Sequence, residues 1–173
     1  MDVSELGGKL PREIMESLAS RNINALTPPQ ELAVEKGLLL GANMLVASPT
    51  ASGKTLIAEL ACVYSILAKG MKAVYIAPMR ALATEKYEEF KHNYPYIKTA
   101  LSIGDLDADD PWLSEYEMMF FSTEKFDSLI RHGITWLHSI GCIVFDEAHM
   151  LGDTSRGPTL ELLMTKLRHT TKA

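Results

Sequence analysis

Cysteine is scarce in this sequence. The two cysteines of the 173-residue chain, Cys62 and Cys142, each lie inside an apolar segment. That context favours buried free thiols over a disulfide or a metal ligand. The five histidines show neither the H-E-x-x-H pattern nor a Cys/His zinc spacing, so a zinc enzyme is not indicated.

Long apolar runs and a positive net charge are also missing. The longest apolar stretches are broken by Gly41, Asn43 or Lys69, whereas a bilayer-spanning helix needs about 20 apolar residues. The N-terminus, MDVSELGGKL, has no basic segment followed by an apolar one, so no secretory signal is predicted. A net charge of -5 excludes a global attraction to nucleic acid and leaves only local basic patches. We expect a cytoplasmic protein without a membrane partner.

Short apolar strands alternate with segments of helical periodicity. This alternation predicts an α/β fold with a mainly parallel sheet and helices on both faces. The predicted strands are 43–47, 72–77, 99–103, 117–122 and 142–145. The predicted helices begin near Pro11 and Pro29 and then cover 54–69, 80–92, 123–132 and 158–168.

The run ASPTASGKT at 47–55 ends as a phosphate-binding loop does. The usual pattern is G-x-x-x-x-G-K-[ST], and Ser48 stands where the first glycine belongs. Gly53 permits close backbone approach, Lys54 supplies charge for the β and γ phosphates, and Thr55 offers a hydroxyl to Mg²⁺. The alternative is a chance G-K-T at a helix start. The predicted nucleotide-binding residues of the loop are Ser48, Pro49, Thr50, Ala51, Ser52, Gly53, Lys54 and Thr55.

A carboxylate pair follows the last predicted strand. In CIVFDEAHM, Asp146 and Glu147 come directly after the apolar run. An acid at this place holds Mg²⁺ in phosphoryl-transfer enzymes, and its neighbour acts on the attacking water. We therefore assign Asp146 to the metal and Glu147 to general-base or water-orienting catalysis, with Lys54 as the second catalytic residue. The alternative is a solvated acidic pair that caps a strand.

The two motifs together resemble a superfamily-two helicase of the DEAH/DExH type. Asp146-Glu-Ala-His149 and ASPTASGKT occur with further motifs in the family's order. The resemblance spans nearly the whole chain and implies a P-loop, RecA-like domain. The additional motifs are Thr27-Pro-Pro-Gln30, Pro78-Met-Arg-Ala-Leu-Ala83 with Glu85 and Lys86, Ser102-Ile-Gly-Asp105, and the run from Thr123 to Arg131.

The run that follows the DEAH box narrows the resemblance. Gly152-Asp-Thr-Ser-Arg-Gly-Pro-Thr-Leu-Glu161 is similar to the Ski-like branch, and most to archaeal fork-repair DNA helicases related to the helicase domain of polymerase theta. In these helicases the first loop position is often Ala or Ser. The resemblance therefore accounts for a serine in place of the usual glycine at position 48.

Several residue roles follow from the resemblance alone. It implies that Gln30 contacts adenine and that His149 couples hydrolysis to strand movement. It also implies that the motifs after three of the strands contact nucleic acid. The alternative is that their residues only form a solvent-exposed surface. The residues implied in nucleic-acid binding are Arg80, Gly104, Thr123 and Lys125.

The resemblance also implies an activity, its cofactors and its partners. We expect a motor domain that uses ATP and Mg²⁺ in a 3′-5′ DNA helicase of replication-fork repair, with single-stranded or forked DNA as partner. The alternatives are an RNA helicase of the Ski-like branch and a stand-alone P-loop switch domain that does not translocate. We expect a helical segment at 1–41 packed on a RecA-like domain at 42–173.

The family hydrolyses ATP between two RecA-like domains, and the second supplies an arginine finger. No Ser-Ala-Thr coupling motif and no second domain occur in these residues. In the family, the strand that leads to the coupling motif lies between the phosphate-loop strand and the DEAH strand. We therefore expect a fragment of a longer chain that binds nucleotide but has little activity alone.

Overall fold

The computed structural model describes residues 1–49, 52–104 and 110–170. It forms two compact units, Met1–Gly70 and Met71–Ala173. The expected division between residues 41 and 42 stays a prediction. No helix among the described residues is long and apolar enough to cross a bilayer.

The first unit is helical. It contains α1 (Arg12–Ser20), α2 (Pro28–Glu35) and α3 (Lys54–Lys69), with 3₁₀ turns at Val3–Leu6 and Leu38–Leu40. Prolines introduce the first two helices, since Pro11 is the N-cap of α1 and Pro28 the first residue of α2. An ion pair of 2.6 Å between Arg21 and Glu59 joins the end of α1 to α3. The predicted helices in this unit are thus confirmed.

The predicted strand at 43–47 is wrong in this structure. Residues 42–49 have no regular secondary structure, and the side chain of Leu45 is 83% exposed. A strand exists only where its backbone groups pair with a neighbouring strand. Among the described residues no strand pairs with this segment. Its β-prone composition is therefore not sufficient to form a strand here.

The second unit is built on a four-stranded parallel sheet. Its strands are β1 (Lys72–Ala77), β2 (Thr99–Ser102), β3 (Met118–Ser122) and β4 (Ile140–Phe145), in the spatial order β2-β3-β1-β4. All pairings are parallel, and Tyr75 of β1 lies opposite Phe120 of β3. All five residues of β3 are buried, as expected for an inner strand covered on both faces. The predicted α/β fold is confirmed.

Helices cover both faces of this sheet. They are α4 (Arg80–Asn93), α5 (Thr123–His132) and α6 (Gly157–Thr170). On one face, the ring of Tyr75 stacks on Phe120, and Phe120 contacts Phe90 of α4 edge to face. Successive strand residues point to opposite faces, so their neighbours Ile76 and Phe121 face the other side. There they share a core with α5 and α6. The members of that core are Val74, Ile76, Ala100, Leu113, Met119, Phe121, Phe126, Leu129, Trp136, Ile140, Leu163 and Leu167.

Short 3₁₀ turns connect these elements. They lie at Pro111–Glu115, Thr135–Ser139 and Ala148–Gly152. The carboxyl ends of β1, β2 and β3 lead toward Arg80, Gly104 and Thr123, and Asp146 directly follows β4. The ends of parallel strands meet at one edge of a sheet, which is where α/β proteins place their functional loops.

Candidate functional site

The phosphate loop ends at a glycine that no other residue can replace without strain. Gly53 has φ +88° and caps the N-terminus of α3. A Cβ atom built there would lie 2.1 Å from Nε2 of Gln30. The position therefore requires glycine both for its left-handed backbone and for space. This close approach is what a loop that wraps a phosphate needs.

Lys54 is held by the loop itself. Its Nζ donates to the carbonyl oxygen of Ser48 at 2.5 Å and to that of Pro49 at 2.9 Å. An ammonium has three donors, and these carbonyls occupy positions for which phosphate oxygens would compete. Thr55 is half-buried in the first turn of the same helix. Lys54 therefore bonds to the same loop in which the sequence predicts phosphate binding.

The serine that replaces the first loop glycine has a bonding partner. The hydroxyls of Ser48 and Ser52 lie 2.6 Å apart, close enough for a hydrogen bond in either direction. This bond joins the first half of the loop to the second. Thr50 and Ala51, which the sequence also assigns to nucleotide binding, lie outside the described residues.

Gln30 lies against the phosphate loop. Its Oε1 accepts from the backbone N–H of Thr27 at 2.8 Å, and its Nε2 donates to the carbonyl of Gly53 at 3.0 Å. The Thr27 hydroxyl donates to the carbonyl of Ser52 at 3.1 Å. The side chain of Gln30 is buried, so its amide is already engaged on both ends. The adenine contact stays a prediction, and what the structure adds is a direct link from Gln30 to the loop.

Both oxygens of Asp146 are held from different directions. The Tyr75 hydroxyl donates to Oδ2 at 2.6 Å, and the backbone N–H of Glu147 donates to Oδ1 at 2.8 Å. The Asp146 N–H itself continues the pairing of β4 with β1 by donating to the carbonyl of Ile76 at 2.9 Å. A carboxylate has about four lone-pair sites, so free ones remain for a metal-bound water. The aspartate is fixed in position before any ligand arrives.

Glu147 has an unusual backbone. It lies in the left-handed region at φ 53°, ψ 42°, which costs a non-glycine residue about 1–2 kcal/mol. Such strain concentrates where a structure holds functional groups. Glu147 and His149 are exposed, and Oε2 of the glutamate lies 3.0 Å from Nδ1 of the histidine. The strained turn therefore presents both side chains to solvent.

The sequence-based reasoning missed Tyr75. The residue lies in the buried run KAVYIA, and its ring is only 5% exposed. A buried tyrosine hydroxyl almost always has a hydrogen-bond partner, which was the available signal. The partner is the carboxylate of Asp146, so Tyr75 joins the residues of this site.

The four residues assigned to nucleic-acid binding differ in exposure. Arg80, the first residue of α4, and Gly104, just after β2, are exposed. Thr123, the first residue of α5, is 6% exposed. The side chain of Lys125 is only 1% exposed, and its Nζ lies 3.1 Å from Oδ2 of Asp110. Lys125 thus lies in a buried ion pair, and its assignment to nucleic-acid binding stays a prediction.

The donor types of these residues fit a nucleotide and Mg²⁺. Magnesium prefers carboxylate and hydroxyl oxygens over sulfur or nitrogen, and Asp146 and Thr55 supply such oxygens. The backbone at Gly53 carries no side chain and is followed by the ammonium of Lys54, and both features suit a phosphate. Groups of three or more His, Cys, Asp or Glu side chains that could hold a metal ion are absent from the described residues.

The chain has a glycine-lysine-threonine loop at a helix N-terminus and an acidic pair after a parallel strand. These two features define the class of P-loop nucleotide-binding proteins. The model of the DEAD/DEAH box helicase family matches residues 27–173. The chain belongs to that family.

Relatives from archaea support the same assignment. The chain is 46% identical over 168 residues to the ATP-dependent DNA helicase Hel308 of Pyrococcus horikoshii, covering 96% of this chain and 23% of that protein. It is 43% identical over 174 residues to the protein of the same name from Methanocella arvoryzae, covering 97% of this chain and 23% of the relative. The chain therefore spans about a quarter of the length of these relatives. The resemblance to archaeal DNA helicases expected from the motifs is confirmed.

A solved structure confirms the fold. The structure titled as a hypothetical ATP-dependent RNA helicase from Sulfolobus tokodaii matches with a TM-score of 0.73 at 18% identity. The match covers 94% of this chain and 49% of that one. At this identity the likeness concerns the fold alone.

Proposed function

We propose that this chain is the ATP-binding part of the motor of an ATP-dependent DNA helicase. The observation that carries the proposal is the phosphate loop, in which Gly53 has a left-handed backbone packed against the Gln30 amide and Lys54 is bonded to the loop carbonyls. Relatives named ATP-dependent DNA helicase, at 46% and 47% identity, support the choice of DNA over RNA.

Each residue has a role in this proposal. Lys54 binds the β and γ phosphates, and the Thr55 hydroxyl and the Asp146 carboxylate hold Mg²⁺. When bound, that ion neutralises charge on the transferred phosphate. Glu147 orients the attacking water, and its place on an exposed turn gives water access to the carboxylate. The remaining proposed contacts are Gln30 and loop residues 48–53 with the nucleotide, His149 in coupling, and Arg80, Gly104 and Thr123 with the strand.

The finer parts of the proposal concern the full-length protein. We propose a second RecA-like domain as its partner, 3′-5′ movement on single-stranded or forked DNA in fork repair, and a cytoplasmic setting. A helicase needs both domains because an arginine supplied from the second one stabilises the transition state. The sequence resemblance to archaeal fork-repair helicases supports these assignments.

The test is the ATPase rate of the full-length protein with and without nucleic acid. We expect single-stranded DNA to stimulate hydrolysis more than RNA of the same sequence and length. Glu147→Gln should retain nucleotide binding but lose turnover, because it keeps the shape of the side chain and removes the base. Stimulation by RNA alone would favour the RNA helicase, and binding of ATP without stimulation by either would favour a switch domain.

A further inference from the structure

Lys125 and Asp110 form a buried ion pair in the second unit. The lysine side chain is 1% exposed, that of the aspartate is 16% exposed, and Nζ lies 3.1 Å from Oδ2. A buried ammonium is costly unless a charged partner compensates for the lost water. A phosphate of a bound strand would reach Lys125 only after this pair had opened.

Asp110 is bonded on both oxygens. The Ser102 hydroxyl donates to Oδ2 at 2.7 Å, and the indole N–H of Trp112 donates to Oδ1 at 3.2 Å. Burial by itself raises the pKa of Asp110, but the bonds from Ser102 and Lys125 outweigh it and leave that pKa below its usual value. The carboxylate is therefore charged and held from three sides.

Two of the partners of Asp110, Ser102 and Lys125, lie at or just after the ends of two neighbouring strands. Ser102 is the last residue of β2 and precedes Gly104 by two positions. Lys125 lies in the first turn of α5, two positions after Thr123. Its backbone N–H donates at 3.3 Å to the hydroxyl of Ser122, the last residue of β3. Asp110 thus ties together the two segments that carry the proposed strand contacts at Gly104 and Thr123.

We infer that Asp110 and Lys125 are a positioning pair for nucleic-acid binding. Lys125 acts through Asp110, and not by touching a phosphate, to hold the segments of Gly104 and Thr123 at a fixed separation. This inference rests on the proposed function, because it requires that the protein binds a nucleic-acid strand. It replaces the direct phosphate contact that the sequence assigned to Lys125.

The test measures the affinity of the full-length protein for a single-stranded oligothymidylate at several salt concentrations. We expect Lys125→Met and Asp110→Asn each to weaken binding about tenfold, the factor that follows from losing one charge-assisted hydrogen bond. The slope of log affinity against log salt should equal that of the wild type in both variants, since no phosphate contact is lost.

A direct phosphate contact predicts a different pattern. Lys125→Met would then lower the magnitude of the salt slope by about 0.7, the value for one phosphate of a single strand. Asp110→Asn would strengthen binding, because it removes a negative charge that competes with the phosphate for the ammonium. Either result would overturn the inference. Wild-type protein without salt-dependent strand binding would overturn the proposed function first, and the inference with it.

Control variants separate positioning from folding. Lys166→Met removes another lysine-aspartate pair of 3.1 Å, between Lys166 of α6 and Asp127 of α5, and should leave strand affinity unchanged. Lys125→Arg keeps the charge and should restore most of the affinity. Ser102→Ala is a milder variant that removes one bond to Asp110 and should weaken binding about twofold to fivefold with the wild-type slope. Strand affinity equal to that of the wild type in all Asp110, Lys125 and Ser102 variants would overturn the inference.

Discussion

The loop at 48–55 and the acidic turn at 146–149 hold their functional groups in different ways. In the loop, Lys54 and Ser48 are bonded to other parts of the same loop. At the turn, Asp146 is bonded to Tyr75 of the neighbouring strand and to the next backbone N–H. The side chains of Lys54 and Ser48 bond within the loop, whose backbone is also held by Thr27 and Gln30, whereas the carboxylate of Asp146 bonds to a residue of the neighbouring strand.

This difference has a consequence for ligand binding. A phosphate that enters the loop would compete for Lys54 with the carbonyl oxygens of Ser48 and Pro49, so its binding would be offset in part by the loss of bonds within the loop. The carboxylate of Asp146 needs no such exchange, because its oxygens are fixed and still have free lone pairs. The strain of about 1–2 kcal/mol at Glu147 is another sign that the turn is held in shape by its surroundings.

The largest effect should come from a methyl group at the end of the loop. Gly53→Ala places a Cβ 2.1 Å from Nε2 of Gln30 on a backbone of φ +88°. We expect the free energy of unfolding to fall by about 2–4 kcal/mol and nucleotide affinity to fall with it. Thermal or denaturant unfolding and a nucleotide titration measure the two losses.

Gly70→Ala is the matched control for that change. Gly70 also has a positive φ, +64°, but an added Cβ would meet no atom within 4 Å. It should cost only the backbone strain of about 1–2 kcal/mol and leave nucleotide affinity unchanged. Equal losses in the two variants would show that the contact with Gln30 does not matter to the loop.

An intermediate effect should follow from removing one hydroxyl beside the acidic turn. Tyr75→Phe keeps the ring that stacks on Phe120 but loses the bond to Asp146. We expect the Mg²⁺ concentration needed for half-maximal nucleotide binding to rise about tenfold, as for other groups that orient a metal ligand. Isothermal titration with and without Mg²⁺ checks this, and Mg²⁺-free affinity should stay the same.

Tyr87→Phe controls for the general loss of a tyrosine hydroxyl. Its ring also contacts Phe120, but its hydroxyl accepts a bond from Lys91. The Mg²⁺ dependence of this variant should match that of the wild type. A similar change of the Mg²⁺ dependence in both variants, or no change in Tyr75→Phe, would contradict the role of Tyr75 in holding Asp146.

The smallest effect concerns the bond that closes the loop. A double-mutant cycle of Ser48→Ala and Ser52→Ala should give a coupling energy of about 0.5–1.5 kcal/mol, measured by denaturant unfolding. The reason is the contact of 2.6 Å between the two hydroxyls. Additive losses in the cycle would mean that the loop is not closed by this bond.

Local patterns predicted most of the fold. The long helix that begins at Lys54 and the apolar runs before Pro78 and Asp146 carry their periodicity and end signals within a few residues. The predictions that failed depend on contacts between residues that are distant in the sequence. The run at 43–47 has strand composition, but strand formation depends on a partner elsewhere in the chain.

The residues of the candidate site show the same contrast between local motifs and distant contacts. Gly53, Lys54 and Asp146 were found because their motifs are contiguous and have a defined local context. Tyr75 was missed because its partner, Asp146, is distant in sequence. The ion pair of Lys125 with Asp110 was not predicted, because no local motif shows that the two residues meet in the fold.

The most direct test of the account is a titration of ATP, with Mg²⁺ present, against Lys54→Ala. The matched control is Lys69→Ala, which removes the lysine at the other end of the same helix. We expect Lys54→Ala to lower ATP affinity by about two orders of magnitude, because it removes charge-assisted bonds to phosphate, and Lys69→Ala to bind as the wild type does. Unchanged ATP affinity in Lys54→Ala would contradict the assignment of this loop to nucleotide binding.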